Sequence, residues 1–290
     1  MTPMPSYPVP FFWVDAFTDQ RFGGNPAGVC LLDGPADERW MQQLAFELGL
    51  SETAYLWPDG AHPDGGRPGG GRWSLRWFTP AVEVDLCGHA TLAAAQALRE
   101  AGRAADGDRL SFSTRSGLLA ATLGGAVIEL DLPAARGRPV DPPAILDAWP
   151  VVAAFDGGDD LIVELPDAAA VRSLVPDLAA LETVPYRGVV ATAVGDGPAG
   201  DGADYVLRVF GCGIGIGEDP VTGSAQCTLG PLWAERLGRT VLQAVQLSDR
   251  GGRLRVTVAG DRVRVAGGAV TVLRGTVLAG TVLAGTVLGP

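Results

Sequence analysis

Three titratable side chains stand on short polar turns beside apolar helices. They are Glu52 in LGLSETAYL (48–56), His89 in LCGHATLAAAQAL (86–98) and Asp219 in EDPVTGSAQCTLG (218–230). Two carboxylates and an imidazole form a general acid/base set, able to take a proton from one carbon and return it to another. Burial pushes a carboxylate's pKa toward neutrality, which suits it to both directions of transfer. Each residue also has a plain structural reading: Glu52 as a solvated turn residue, His89 as a satisfied core histidine, Asp219 as a helix cap.

The turns bearing His89 and Asp219 share a plan. Each is rich in Gly and small residues and leads straight into an Ala- or Leu-bearing helix. A helix start carries unpaired N–H groups and a partial positive charge, so it binds carboxylates and phosphates without a basic side chain. Gly88, Gly223 and Ser224 would let a ligand come close to the backbone. Two such starts facing each other would make an anion pocket.

Three helices must position these groups. The spacing of Trp40, Met41, Leu44 and Leu48 predicts one over about 37–48, stopped at Gly49. A second, about 89–101, is apolar nearly all round and is expected to be buried. A third runs from Thr222 or Gly223 to Leu237 and should kink at Pro231. Around them lie short β-type runs such as PFFWVDAF, VIELDL and YVLRVF, with no regular βαβ rhythm. The class is therefore α+β with mainly antiparallel sheet. Small-residue helices among strands suggest two similar domains, each a β-barrel wrapped around a central helix. Their expected bounds are 1–130 and 131–271, with the end of the chain, about 272–290, returning to the first. DGAHPDGGRPGGGR (59–72) reads as a loop.

The formal net charge of −11 argues against nucleic acid or an anionic membrane as partner. No apolar run of about 18 residues is present, so no membrane helix is expected, and the first residues lack a signal-peptide pattern. Cytoplasmic location follows as an expectation. Cys30, Cys87, Cys212 and Cys227 have no CxxC spacing, and His62 and His89 are the two histidines, so no metal is expected. GCGIGIG fails the dinucleotide fingerprint, because Ile216 and Glu218 stand where glycine is required. TVLRG, TVLAG, TVLAG and TVLGP repeat with period five over 271–290, which fits neither strand nor helix. The first copy could finish the sheet begun by DRVRVAGG.

VDAFTDQRFGGNPAGVCLL (14–32), LAFELGLSETAYL (44–56), LRWFTPAVEVDLCGHATLAAAQAL (75–98), GIGIGEDPVTGSAQCTLGPLWAERLG (213–238) and QLSDRGGRLRV (246–256) stand in order along the chain. In these blocks the sequence resembles the phenazine-biosynthesis PhzF-like isomerases, which share a fold with diaminopimelate epimerase. The resemblance implies two barrel domains, a site between them, a homodimer, no cofactor and a small carboxylate-bearing substrate. It assigns proton transfer to Glu52, assistance to His89 and Asp219, and substrate contacts to Gly223 and Ser224. Asn25, in GNPAG, is expected to line the pocket. Phe210-Gly211-Cys212 and Gln226 depart from the family pattern and could reshape it.

Two rival readings stand beside this one. Cys87 could serve a thiol epimerase, although Asp219 occupies the turn where the second thiol would belong. The chain could also be a non-catalytic small-molecule binder. Arg72, Arg76 and Arg115 are possible substrate contacts, with surface ion pairs as the alternative.

Overall fold

A computed structural model describes residues 5, 8–60, 71–214 and 216–278. His62, most of the expected loop and the later tail repeats lie outside them. The elements in chain order are β1 (Val9–Ala16), β2 (Asn25–Leu31), α1 (Glu38–Leu48), β3 (Glu52–Pro58), β4 (Arg72–Phe78), β5 (Glu83–Val84) and α2 (Gly88–Glu100). Then come β6 (Arg109–Thr114), β7 (Gly117–Gly124), β8 (Val127–Pro133), β9 (Arg138–Val140), β10 (Ala153–Asp156), β11 (Asp160–Glu164), α3 (Ala168–Ser173) and α4 (Leu178–Leu181). The last are β12 (Gly188–Val194), β13 (Tyr205–Phe210), α5 (Gln226–Leu237), β14 (Val241–Gln246), β15 (Gly252–Ala259), β16 (Arg262–Gly267) and β17 (Ala269–Val277). The fold is α+β.

Period-two alternation builds the strands. In β8, Ile128, Leu130 and Leu132 point inward while Val127, Glu129 and Asp131 face outward or lie part-covered. One ladder runs β17–β1–β2–β3–β4–β6–β7–β8, and a second runs β9–β10–β11–β12–β13–β14–β15–β16. The two ladders join where β8 pairs with β16. Pairing is antiparallel except at β2–β3, β4–β6, β11–β12 and β13–β14. β17 crosses to the other ladder and pairs with β1, Val9 opposite Val277. Gly267 and Gly268 allow that crossing, because a Cβ on either would meet Phe17 or Thr18 at under 3 Å.

The helices follow their local signals. Asp37 caps α1 by accepting from the backbone N–H groups of Arg39 and Trp40 at 2.9 and 3.2 Å, and Gly49 ends it at φ 62°. In α2 every residue from Gly88 to Leu98 is buried. Alanines there let β1, β2, β3, β7, β8 and β17 all pack against one helix. α5 lies against β14, β15 and β16. It starts at Gln226, later than the sequence suggests, because Gln226 and Cys227 donate to Gly223 and Ser224 in tight i→i−3 turns at 3.1 and 3.0 Å. Pro231 sits inside it and leaves the Cys227 carbonyl without a helical donor. The Ala135 N–H takes that carbonyl at 2.8 Å. The short helices α3 and α4 carry too few periodic residues to show in the sequence.

Candidate active site

The starts of α2 and α5 meet. A Cβ on Gly88 would touch Gly223 Cα at 3.4 Å and Ser224 N at 3.6 Å, so glycine lets the two backbones come into contact. The backbone N–H groups of Gly88, His89, Gly223 and Ser224 have no acceptor among the described residues. Those of Gly88 and His89 are orphan donors of the α2 start, those of Gly223 and Ser224 belong to the turn that leads into α5, and the four gather at one place. A cavity of about 400 Å³ opens beside them. Residues 52 and 82–89 line one wall, and residues from 159 to 224 line the other.

Glu52, His89, Asp219, Gly88, Gly223 and Ser224 all line this cavity. Glu52 is the first residue of β3, and the β2–β3 ladder holds it opposite Ala27. It is buried, not a solvated turn residue. Its Oε2 lies 3.2 Å from His89 Nε2 and has no full hydrogen bond among the described residues. Asp219 does not cap α5, whose N-cap is Ala225. Instead its carboxylate accepts from Asn25 Nδ2 at 2.7 Å and from the Thr222 hydroxyl.

Asn25 sits behind the wall and does not line it. It is fully buried, and its amide donates to Asp219 and to the Val221 carbonyl at 2.8 Å, with His89 Nδ1 at 3.2 Å. Its two N–H hydrogens are used by Asp219 and Val221, and the same side chain lies against His89. Gln226 also faces inward, accepting from Tyr205 at 2.5 Å and donating to the Thr222 carbonyl at 3.1 Å. Of the other unusual residues, Gly211 reaches the cavity.

Burial and neighbouring charge set the protonation states. Burial alone disfavours the His89 imidazolium, but the Cys87 sulfur and the Glu52 carboxylate outweigh it and hold the pKa well above the ordinary 6.5. Burial pushes the Cys87 thiol up. A neutral thiol supplies no charge, so Glu52 is the partner that counts at neutral pH. Burial raises Asp219 to about 6, opposed by His89 and reinforced by Glu52.

Sequence reasoning missed the braces around the site. Gln246 accepts from Thr222 N at 2.8 Å and donates to the Asp219 carbonyl at 2.7 Å, which fixes the turn between them. Ser248 holds the Pro220 carbonyl at 2.7 Å. Both lie in QLSDRGG, a block whose clustering of polar residues after a strand was the available signal. Asp160 and Arg187 line the far wall and had no sequence signal. Arg72, Arg76 and Arg115 are not in the lining. They pair with Asp59, with Glu83 and Glu38, and with Glu83 and Asp85. Glu52, Cys87 and His89 bring three possible ligand atoms within 4.8 Å of one another, a set chemically able to take a soft divalent cation.

A family model described as phenazine biosynthesis-like protein (PhzC-PhzF) matches residues 14–275. An uncharacterized isomerase of Halalkalibacterium halodurans is 41% identical over 271 residues, covering 91% of this chain and 97% of the relative. One from Pseudomonas aeruginosa is 44% identical over 268 residues, with 91% and 97% covered. The crystal structure of a PhzF-family phenazine biosynthesis protein from Enterococcus faecalis superposes with a TM-score of 0.85 at 37% identity, covering 94% of this chain and all of that one. Fold and relatives define an isomerase. The chain belongs to the phenazine biosynthesis-like (PhzC-PhzF) family.

Proposed function

We propose that the protein is a cofactor-independent isomerase that moves a proton within a small carboxylic acid. The observation that carries this is the gathering of Glu52, His89 and Asp219 on one cavity next to two facing helix starts. The substrate carboxylate rests on the free N–H groups of Gly88, His89, Gly223 and Ser224. Glu52 takes a proton from the neighbouring carbon, the electron pair spreads into the adjoining unsaturated system, and Glu52 returns the proton to a second carbon. His89, charged and 3.2 Å away, stabilises the Glu52 carboxylate before it accepts the proton. Asp219, held by Asn25 and Thr222, balances the imidazolium and orients the acid.

The wider architecture in this reading is two barrels, one around α2 and one around α5, with the cavity between them. Strand contacts on many sides of α2 and the β14–β16 packing of α5 support it. The working unit is a homodimer, a state that size-exclusion chromatography with light scattering would test.

The test of the chemistry is solvent exchange. Candidate unsaturated acids are incubated in deuterated water with wild type and Glu52→Gln. We expect deuterium incorporation to fall by roughly 10²–10⁴-fold in the variant while acid binding persists. Equal incorporation by both proteins removes Glu52 from the mechanism. A second reading rests on Cys87, whose sulfur lies 3.5 Å from His89 Nδ1 on the cavity wall. A thiol base would make the enzyme an epimerase, and exchange would then die in Cys87→Ser and survive in Glu52→Gln.

A further inference from the structure

The cavity brings a second charged pair to the mouth of the helix starts. Asp160 opens β11 and Arg187 immediately precedes β12, and the parallel pairing of those strands sets Asp160 opposite Gly188. Asp160 is buried, and it accepts from Arg187 Nε at 3.0 Å and from Nη2 at 2.5 Å. This two-point grip fixes the plane of the guanidinium. The second Nη2 hydrogen goes to Ser224 Oγ at 3.3 Å. The outer edge of the guanidinium, Nη1 and Nη2, therefore faces Ser224 and the α5 start. Nη1 has two N–H groups and no acceptor among the described residues. Because Ser224 accepts from Arg187, its own hydroxyl hydrogen is left for a ligand.

The charges of the wall set a limit on what can enter. Glu83 is held by Arg76 and Arg115, each at 2.6 Å, and Asp85 by Arg115 at 3.2 Å. Asp160 cancels Arg187, and Glu52 faces His89. Asp159 and Asp219 also line the cavity. Two helix starts supply only partial positive charge. Among the described residues such a site has donors enough for one carboxylate and no free cation for a second.

We propose that Arg187 and Ser224 together complete the carboxylate cradle, and that Asp160, by neutralising Arg187, makes the site select acids with one negative charge over dianions. This rests on the carboxylate-binding half of the proposed function and adds the residues and the charge class.

Two nearly isosteric probes test it: glutaramate, with one carboxylate and a neutral amide, and glutarate, with two carboxylates. Binding to the full chain is measured by calorimetry or ligand-observed NMR. Wild type should bind glutaramate about tenfold more tightly than glutarate, the size of one charged hydrogen bond lost or opposed. Asp160→Asn should shift the ratio toward glutarate by about tenfold. Arg187→Gln with Asp160→Asn, which leaves no buried charge unpaired, should weaken glutaramate by about tenfold or more. An unchanged ratio in Asp160→Asn, wild-type affinity in the double variant, or no binding of either acid by wild type overturns the proposal. Deuterium exchange by Glu52 is read separately, so its loss or survival shows whether the acid/base reading stands when this one falls.

Discussion

Replacing Glu52 by Gln removes one charge and almost no volume from a buried contact. The partner is His89 Nε2, 3.2 Å away. At that separation, with an effective dielectric of about 20, the attraction between the two charges is about 5 kcal/mol before desolvation is counted. Burial of both groups takes back much of this, and the imidazole can shed its proton instead of staying charged alone. The net cost to stability should be about 1.5–3 kcal/mol where His89 is protonated. The pH dependence has a definite sign. His89 has its pKa raised in the folded state, so its contribution is fully present below the ordinary value and is lost as pH rises through the folded value. Wild type and Glu52→Gln should therefore differ most at acid pH and converge at alkaline pH. The assay needs no substrate. The chain has two histidines, so NMR titration of the imidazole nitrogens resolves each. In wild type His89 should stay protonated well above 6.5, and in Glu52→Gln its titration should move down. An ordinary titration of His89 in wild type, or the same curve in both proteins, would refute the reasoning that joins Glu52 to His89.

Asp219 has its pKa raised to about 6, so exchange activity should gain an acid limb there as the ionised form is lost, and Asp219→Asn should abolish that limb together with most of the rate. Gly88→Ala would put a methyl group 3.4 Å from Gly223 Cα, leaving the fold in place by circular dichroism but cutting acid binding measured by calorimetry by about tenfold. Ala94→Leu inserts a large side chain into the fully buried α2, where overpacking should cost about 1–3 kcal/mol in chemical denaturation. Thr192→Val strands the Trp233 indole N–H, which now donates to the Thr192 hydroxyl at 3.0 Å, at a cost of about 1–3 kcal/mol by the same measurement.

Local signals in the sequence were enough for α1 and α2 and for most strands. Capping by Asp37, the stop at Gly49 and the alternation in β8 act over a few residues, so they can be read without knowing the fold. The resemblance blocks, long and in order, led to the family and to Glu52, His89 and Asp219 as a set. What could not be read was where each polar group finds its partner. Asn25 was expected in the pocket wall, but it lies 64 residues from His89 and 194 from Asp219 and contacts both from behind. β17, which carries the first tail copy, pairs with β1, more than 250 residues away. Asp160 and Arg187 carry no local signal, and two parallel strands set them side by side. Helix starts and strand runs are set by neighbours in the chain. Contact between Gly88 and Gly223, and the charge balance of the cavity they border, exist only after long loops have closed and the ladders have joined, because burial and proximity are properties of the packed chain.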